Sequence, residues 1–399
     1  MPQMDVRAAL VGLSAYKNIA GLPLMRMLHD FLKAMSAKQA EAALDLYTGL
    51  FFSLEKEGYS ALGDYLHDHL RYDPAPYPEA VAAGRTDERL AQAARRDIQL
   101  LSFVANLPCA VLKNGLINAL PESWRSMPGE LPEWESKCPF TFEELTRFYQ
   151  VNGSGLFARY RAFVWEKDKL HPVEDPDYVP PDELTGYERQ RGQVVENTRA
   201  LMEGRQVNNV LLYGESGTGK SAAVKALLGL EGFEGLRIIE VDKAGLGDLP
   251  ELIRTLGHRP QKFILFIDDL AFDKDDRTYS ALKTILEGGL EKRPANVAVY
   301  ATSNRRHLVR ETFSDRAGDE VDANETIEEK TSLSDRFGLR IPFLSLNQDQ
   351  FLELVYRLAR VYHIDRDQEA LKTSAIRWVM HHPGRTPRTA RQFLNSLQV

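Results

Sequence analysis

The chain has 399 residues, 43% hydrophobic and 27% charged, with a formal net charge of -7. That length allows two or three domains with cores of their own, and the composition excludes a disordered or fibrous chain. The acidic balance argues against a dedicated nucleic-acid coat, although local basic patches stay open.

The chain opens MPQMDVRAALVGL, which lacks the charged-then-apolar pattern and small-residue cleavage site of a secretory signal. No apolar run approaches the roughly 20 residues a membrane helix needs. Cys109 and Cys138 stand far apart with no CxxC or Cys/His cluster, which reads as free thiols in a reducing compartment. The expectation is a cytoplasmic protein with no membrane segment.

From about Val6 to Tyr160 the apolar residues recur at helical spacing. Leu24, Met27, Leu28, Phe31, Leu32 and Met35 fall on one face; Tyr65, Leu66, His69 and Leu70 repeat the pattern, as do Leu100, Leu101, Val104 and Leu107. Proline-bearing turns near Pro74 to Pro78 and Pro121 to Pro132 break the run. Residues 1–165 are therefore expected to form an all-α N-terminal domain. It holds no catalytic constellation, and its partner is not legible.

Glu166 to Glu183 carries four prolines and seven acids, the composition of a stiff, solvated linker or an extended strap. Beyond it, NNVLLYG, LRIIEVD, FILFIDD and NVAVYATSN are short apolar runs separated by helical segments. Repeated units of this kind imply a mostly parallel sheet covered on both faces, an α/β nucleotide-binding subdomain over 184–344. From about Asn347 helical periodicity returns, which predicts a small helical lid over 345–399.

Gly214, Glu215, Ser216, Gly217, Thr218, Gly219, Lys220 and Ser221 fit the pattern GxxxxGK followed by Ser or Thr, after a strand and before a helix. Glycines let such a loop turn its N–H groups toward phosphates, and the following helix presents its positive end. Lys220 is expected to reach the β and γ phosphates of a nucleotide, and the Ser221 hydroxyl to ligate Mg2+. FILFIDDLAF then places Asp268 at the end of a buried strand, as in a Walker B element, on the Mg2+ side of the site. Asp269, one methylene shorter than the Glu many nucleotide hydrolases carry there, is the candidate to polarise the attacking water. It would need the water about an ångström closer or a second bridging water, which predicts slow hydrolysis.

No guanine-reading NKxD stretch is present. Asn304, ending the strand NVAVYATSN, could orient the attacking water. Arg336 in SLSDRFGLRIPF and Arg388 in GRTPRTARQFLNSL offer charged forks that fit phosphate.

The order of these elements resembles that of AAA+ P-loop ATPases. More closely, LTGYERQ, NNVLLYGESGTGKS, ALKTILEGGLEKRPANVAVYATSNRRHL and SLSDRFGL resemble the bacterial AAA+ family known as domain of unknown function 815, over about Pro181 to the end. The resemblance implies a three-layer parallel sheet with a C-terminal helical lid. It implies Asn304 as sensor 1, Arg336 as an arginine finger acting on a neighbouring subunit, and Arg388 as sensor 2, with Arg391 competing for that place. Tyr187 is implied as a residue packing on the adenine, with a half-buried Tyr at a domain start as the other reading. Arg385 reads as a solvated lid residue. The stretch from Glu311 to Lys330, with eight acids and two bases, reads as an acidic loop or an interface insertion, and Glu287 as a helix-end carboxylate.

The resulting expectation is an Mg-ATP hydrolase. It acts as a homo-oligomer and remodels or loads a macromolecular partner through its N-terminal domain. A nucleotide-gated adaptor with slow hydrolysis and a DNA-associated, helicase-loader-like ATPase remain as alternatives.

Overall fold

In the computed structural model the chain is described at residues 5–180, 184–272, 282–283, 285–286, 294–304, 333–382 and 384–398. Glu287 and the acidic stretch from Glu311 to Lys330 lie outside the described residues. The chain divides into two compact units, Met1–Arg159 and Tyr160–Val399.

The first unit is helical throughout: α1 (Val6–Val11), α2 (Pro23–Ser36), α3 (Ala40–Lys56), α4 (Leu62–Tyr72), α5 (Pro76–Ala82), α6 (Glu88–Ala105), α7 (Cys109–Ala119), α8 (Phe142–Asn152) and α9 (Leu156–Arg159). Local chemistry sets several of the starts. Pro23 takes the first position of α2, Asp87 accepts from Leu90 N at 2.8 Å, and Thr141 accepts from Glu144 N at 3.2 Å. In α2 the buried stripe is Leu24, Met25, Leu28, Phe31 and Ala34, with Met27, Leu32 and Met35 packed at its edge. The fully buried Asp97 carboxylate accepts from the N–H groups of Ser14, Ala15 and Tyr16 at 2.7, 2.7 and 3.1 Å, tying the chain between α1 and α2 to α6. Cys109 and Cys138 are free thiols.

The second unit holds β1 (Ala162–Glu166), β2 (Lys169–Val173), α10 (Glu188–Met202), β3 (Val210–Gly214), α11 (Lys220–Lys225), β4 (Leu236–Val241), α12 (Leu249–Leu256), β5 (Lys262–Ile267), β6 (Val297–Ser303) and β7 (Leu339–Phe343). Three helices follow: α13 (Gln348–Val361), α14 (Gln368–Met380) and α15 (Pro387–Asn395). Among the described residues the strands form one sheet in the order β2-β1-β4-β5-β6-β3-β7. Every pairing is parallel except the β1–β2 hairpin. The strand β6 is buried along its whole length, as a central strand covered on both faces requires. Helices α13 to α15 form a small apolar core of their own around Phe351, Val355, Leu358, Ala375, Phe393 and Leu394.

The hairpin corrects the expectation for residues 162–173, which composition alone assigns to the end of the helical domain and the start of a linker. Lys167 and Asp168 both adopt left-handed backbone angles, φ 51° and 58°, between the paired residues Glu166 and Lys169. That is a two-residue turn of the kind that matches strand twist. Its Lys-Asp sequence lacks the Asn-Gly signal that usually gives it away.

Among the described residues no single helix is long and apolar enough to cross a membrane; one bent pair, α6 with α7, passes by length and composition only.

Candidate functional site

The carboxyl ends of β3, β5 and β6 come together on one edge of the sheet, with β6 between the other two. Ligands of open α/β sheets collect at such an edge. Here the loop after β3, the two aspartates after β5 and Asn304 after β6 border one cavity of about 480 Å³.

The loop's shape depends on backbone freedom at two glycines. Gly214 has φ 141°, and a Cβ there would come within 2.0 Å of Phe343 O in the paired strand β7. Gly217 has φ 79°, and a Cβ there would stand 3.0 Å from Arg388 Cβ and 3.1 Å from Thr386 Oγ1. The lid thus rests directly on the loop, and the Arg388 N–H donates to Gly217 O at 3.2 Å. Thr386 caps α15 through Thr389 N, and Pro387 follows at the first helical position.

Lys220 is buried and folded back on the loop. Its Nζ donates to Gly214 O at 2.9 Å, Glu215 O at 2.8 Å and Asn304 Oδ1 at 3.0 Å. Those three acceptors match the three protons of an ammonium. Burial pulls its pKa below the ordinary lysine value, and the nearby Asp269 and Asp268 pull part of the way back.

Ser221 Oγ donates to Asp268 Oδ1 at 2.6 Å, and Thr302 Oγ1 donates to the same oxygen at 2.5 Å. The register explains the second contact. Ala301 pairs with Ile267, so the next residue on each strand, Thr302 and Asp268, also lie side by side. Thr302 Oγ1 in turn accepts from Asp269 N at 2.9 Å. Asp269 has φ 51°, in the left-handed region that Asp and Asn tolerate better than most residues. Asn304 Nδ2 donates to Asp269 Oδ1 at 2.7 Å.

The oxygen set of Ser221 and Asp268 suits a hard cation such as Mg2+. Among the described residues no group of three or more His, Cys, Asp or Glu is placed to hold a metal ion by itself. An ion here would complete its coordination from phosphate and water.

Of the residues singled out from sequence, Ser216, Gly217, Thr218, Gly219, Lys220, Ser221, Asp268, Asp269, Asn304, Arg388 and Tyr187 border the cavity. Gly214 and Glu215 lie behind it, contributing the carbonyls that hold Lys220. The Glu215 carboxylate is bonded to Ser345 Oγ at the start of the lid. Arg336 sits on the turn before β7, outside the cavity wall, its N–H bonded to Leu333 O at 3.3 Å. Tyr187 stacks on Phe343 with ring centroids 5.0 Å apart and donates to Leu344 O at 2.5 Å. Burial raises its pKa to about 12.

Thr302 and Arg191 are among the wall residues that went unnoticed in the sequence. Thr302 shares a strand face with Asn304, two positions on, and that alternation was the signal for it. Arg191 and Tyr187 are four residues apart at the start of α10, the helical spacing that puts two side chains on one face.

Comparison with known proteins adds the family. The model of the family described as protein of unknown function DUF815 matches residues 158–399. Among curated proteins, the ORC1-type DNA replication protein 1 of Sulfurisphaera tokodaii is 48% identical over 50 residues, 12% of this chain and 12% of that protein. Among solved structures, a point mutant of Thermotoga maritima RuvB overlaps with TM-score 0.37 at 17% identity, covering 55% of this chain and 64% of that one. The RuvB Holliday junction branch migration motor of the same organism overlaps with TM-score 0.35 at 18% identity, with the same coverage. This chain thus spans about an eighth of the curated relative and under two thirds of those structures. Its AAA+ P-loop fold rests on its own strand order and motifs, not on these distant overlaps.

Proposed function

This chain belongs to the DUF815 family, and from that premise we propose that it binds and hydrolyses Mg-ATP. The observation that carries the reading is the bonded chain Lys220–Asn304–Asp269 beside Ser221–Asp268. It supports the reading by gathering an ammonium suited to phosphate, a carboxylate suited to polarising water and two oxygens suited to Mg2+ around one cavity.

In this reading Lys220 gives up part of its contact with the loop carbonyls and Asn304 to meet the β and γ phosphates. Ser221 and Asp268 hold Mg2+, whose charge offsets that of the phosphates. Asp269 takes the proton of the attacking water, and the Asn304 amide keeps its carboxylate turned into the cavity. Arg388 neutralises charge from the lid. Arg336, outside the wall of its own cavity, supplies the second guanidinium to the site of a neighbouring copy, so the active form is a homo-oligomer. The nucleotide state is coupled to remodelling or loading of a macromolecular partner through the helical unit, in the cytoplasm.

Phosphate release with and without Mg2+, for the wild type and Asp269→Asn, tests the enzyme reading. Mg2+-dependent release that the substitution abolishes supports it; release that persists in the variant removes Asp269 from the chemistry.

A second reading, a nucleotide-gated adaptor with slow hydrolysis, is favoured by the short Asp269 side chain. Partner capture with ATP, ADP and a non-hydrolysable analogue separates the two. The short match to an ORC1-type DNA replication protein is the observation on the side of a DNA-associated use. A salt-dependent shift with single-stranded or duplex DNA tests that use.

A further inference from the structure

Two arginines in the cavity wall, Arg191 and Arg391, have no part in the hydrolysis proposed above. Arg191 stands on α10 one turn beyond Tyr187, its N–H bonded to Tyr187 O at 2.9 Å. Its side chain is 20% exposed. Arg391 stands on α15, one turn beyond Arg388. In both, Nε is buried and has no hydrogen-bond partner among the described residues. Leaving such a donor unmatched is unfavourable. Both side chains border one cavity from different elements, so a ligand there can bring acceptors to their guanidinium groups.

Little in the protein competes for Arg191. Glu188 Oε1 lies 3.8 Å from Arg191 Nη2 but 2.7 Å from Arg357 Nη1, so that carboxylate is turned mainly toward the lid arginine. Cavity charge points the same way. The wall holds four cationic side chains, Arg191, Lys220, Arg388 and Arg391, against the two carboxylates Asp268 and Asp269. An anionic ligand would balance them.

Helix geometry shows which part of a ligand these arginines meet. Arg388, Arg391, Gln392 and Asn395 all border the cavity, and their i, i+3, i+4, i+7 spacing is one face of α15. The amino end of that face is pinned to the phosphate loop by the Arg388–Gly217 bond. At about 1.5 Å per residue, Arg391 lies about 4.5 Å and Asn395 about 10 Å farther along the axis. On the other element, Arg191 stands one turn along α10 from Tyr187 and borders the same cavity. The helix spacing therefore sets Arg391 beyond the phosphate loop, in a cavity that Arg191 borders from the core side.

We propose that Arg191 and Arg391 bind the nucleoside monophosphate portion of the nucleotide, the part that ATP and ADP share, and clamp it between core helix α10 and lid helix α15. The proposal rests on the nucleotide-binding reading of this cavity. A guanidinium only donates, so its targets are the acceptors of that portion: α-phosphate oxygens, ribose oxygens or ring nitrogens of the base. Sensing the number of phosphates is left to Lys220 and Arg388. Retention of the nucleotide, whichever it is, falls to Arg191 and Arg391.

Calorimetric titration of the full chain with Mg-ATP and Mg-ADP tests this, using Arg191→Met, Arg191→Lys, Arg391→Met and the double Met variant. Each Met variant is expected to lose about tenfold or more in affinity, as deletion of a charge-assisted bond does. The loss should be equal for ATP and ADP. Arg191→Lys should not restore it, and the double variant should lose less than the product of the two single losses. Repeating the series with GTP locates the acceptor. A smaller loss there puts Arg191 on the base and an equal loss puts it on sugar or α-phosphate, and both support the proposal. Unchanged affinities, or a loss confined to ATP, would overturn it. If the wild type binds neither nucleotide, the reading of the cavity itself fails, a separate result. Should Arg191→Met melt without a folded state, Arg391→Met and Arg191→Lys decide the question.

Discussion

Asn304 donates from Nδ2 to Asp269 Oδ1 at 2.7 Å while its Oδ1 accepts from Lys220 Nζ at 3.0 Å. The amide orientation is forced, because an ammonium only donates and a carboxylate only accepts. The bond joins the cation proposed to bind phosphate to the carboxylate proposed to handle the water. Asn304→Ala should lower ATP turnover by roughly 10²-fold, the scale of a lost positioning group. Nucleotide affinity should change by only a few fold. Parallel phosphate-release and titration measurements check the split.

Asp269 has two separable properties, its charge and its left-handed backbone. Asp269→Asn keeps the backbone preference and should retain wild-type melting behaviour while turnover disappears. Asp269→Val places a β-branched residue at φ 51° and should cost about 1–3 kcal/mol of stability. Thermal melts of the two variants separate the effects.

Gly217→Ala sets a Cβ 3.0 Å from Arg388 Cβ on a backbone with φ 79°. The left-handed strain alone is worth about 1–2 kcal/mol. Relief requires the start of α15 to move off the phosphate loop, so ATP affinity should fall together with the melting temperature. Titration and melting of this one variant check both.

Lys220 carries a pKa depressed by burial below its ordinary 10.5. Because the native state binds its proton less readily than the unfolded chain, burial of this ammonium costs stability below the depressed pKa, and the cost fades as pH rises through it. Nucleotide affinity runs the other way, since the phosphates need the charged form. Affinity for Mg-ATP should hold near neutral pH and weaken on the alkaline side before pH 10.5, and Lys220→Ala should bind weakly with no such slope. Titrations across that range give the profile.

Much of this was legible in the sequence because the strands are buried on both faces and read as continuous apolar runs, such as Phe263 to Ile267 and Val297 to Ala301. Such runs place the residues that follow them, here Asp268, Asp269 and Asn304, at the sheet edge. The phosphate loop is equally visible, since its conformation needs glycine at fixed positions. What escaped notice depends on register or on cross-element contact. Thr302 is a site residue only because Ala301 pairs with Ile267. Arg191 matters only because α10 and α15 border the same cavity. The left-handed turn at Asp269 offers a reason for its short side chain that no motif pattern contains: Asp fits that backbone better than the longer Glu.

The proposal that Asp269 of one copy works with Arg336 of a neighbouring copy has a direct test. Asp269→Asn and Arg336→Ala should each be inactive alone while still binding ATP. Mixed in equal amounts, they form some interfaces that join an intact Asp269 to an intact Arg336. Steady-state phosphate release by the mixture should recover to about a quarter of the wild-type rate, if the copies mix at random and each interface acts independently. Wild-type turnover by Arg336→Ala alone, or a mixture as inactive as its components, would contradict the account.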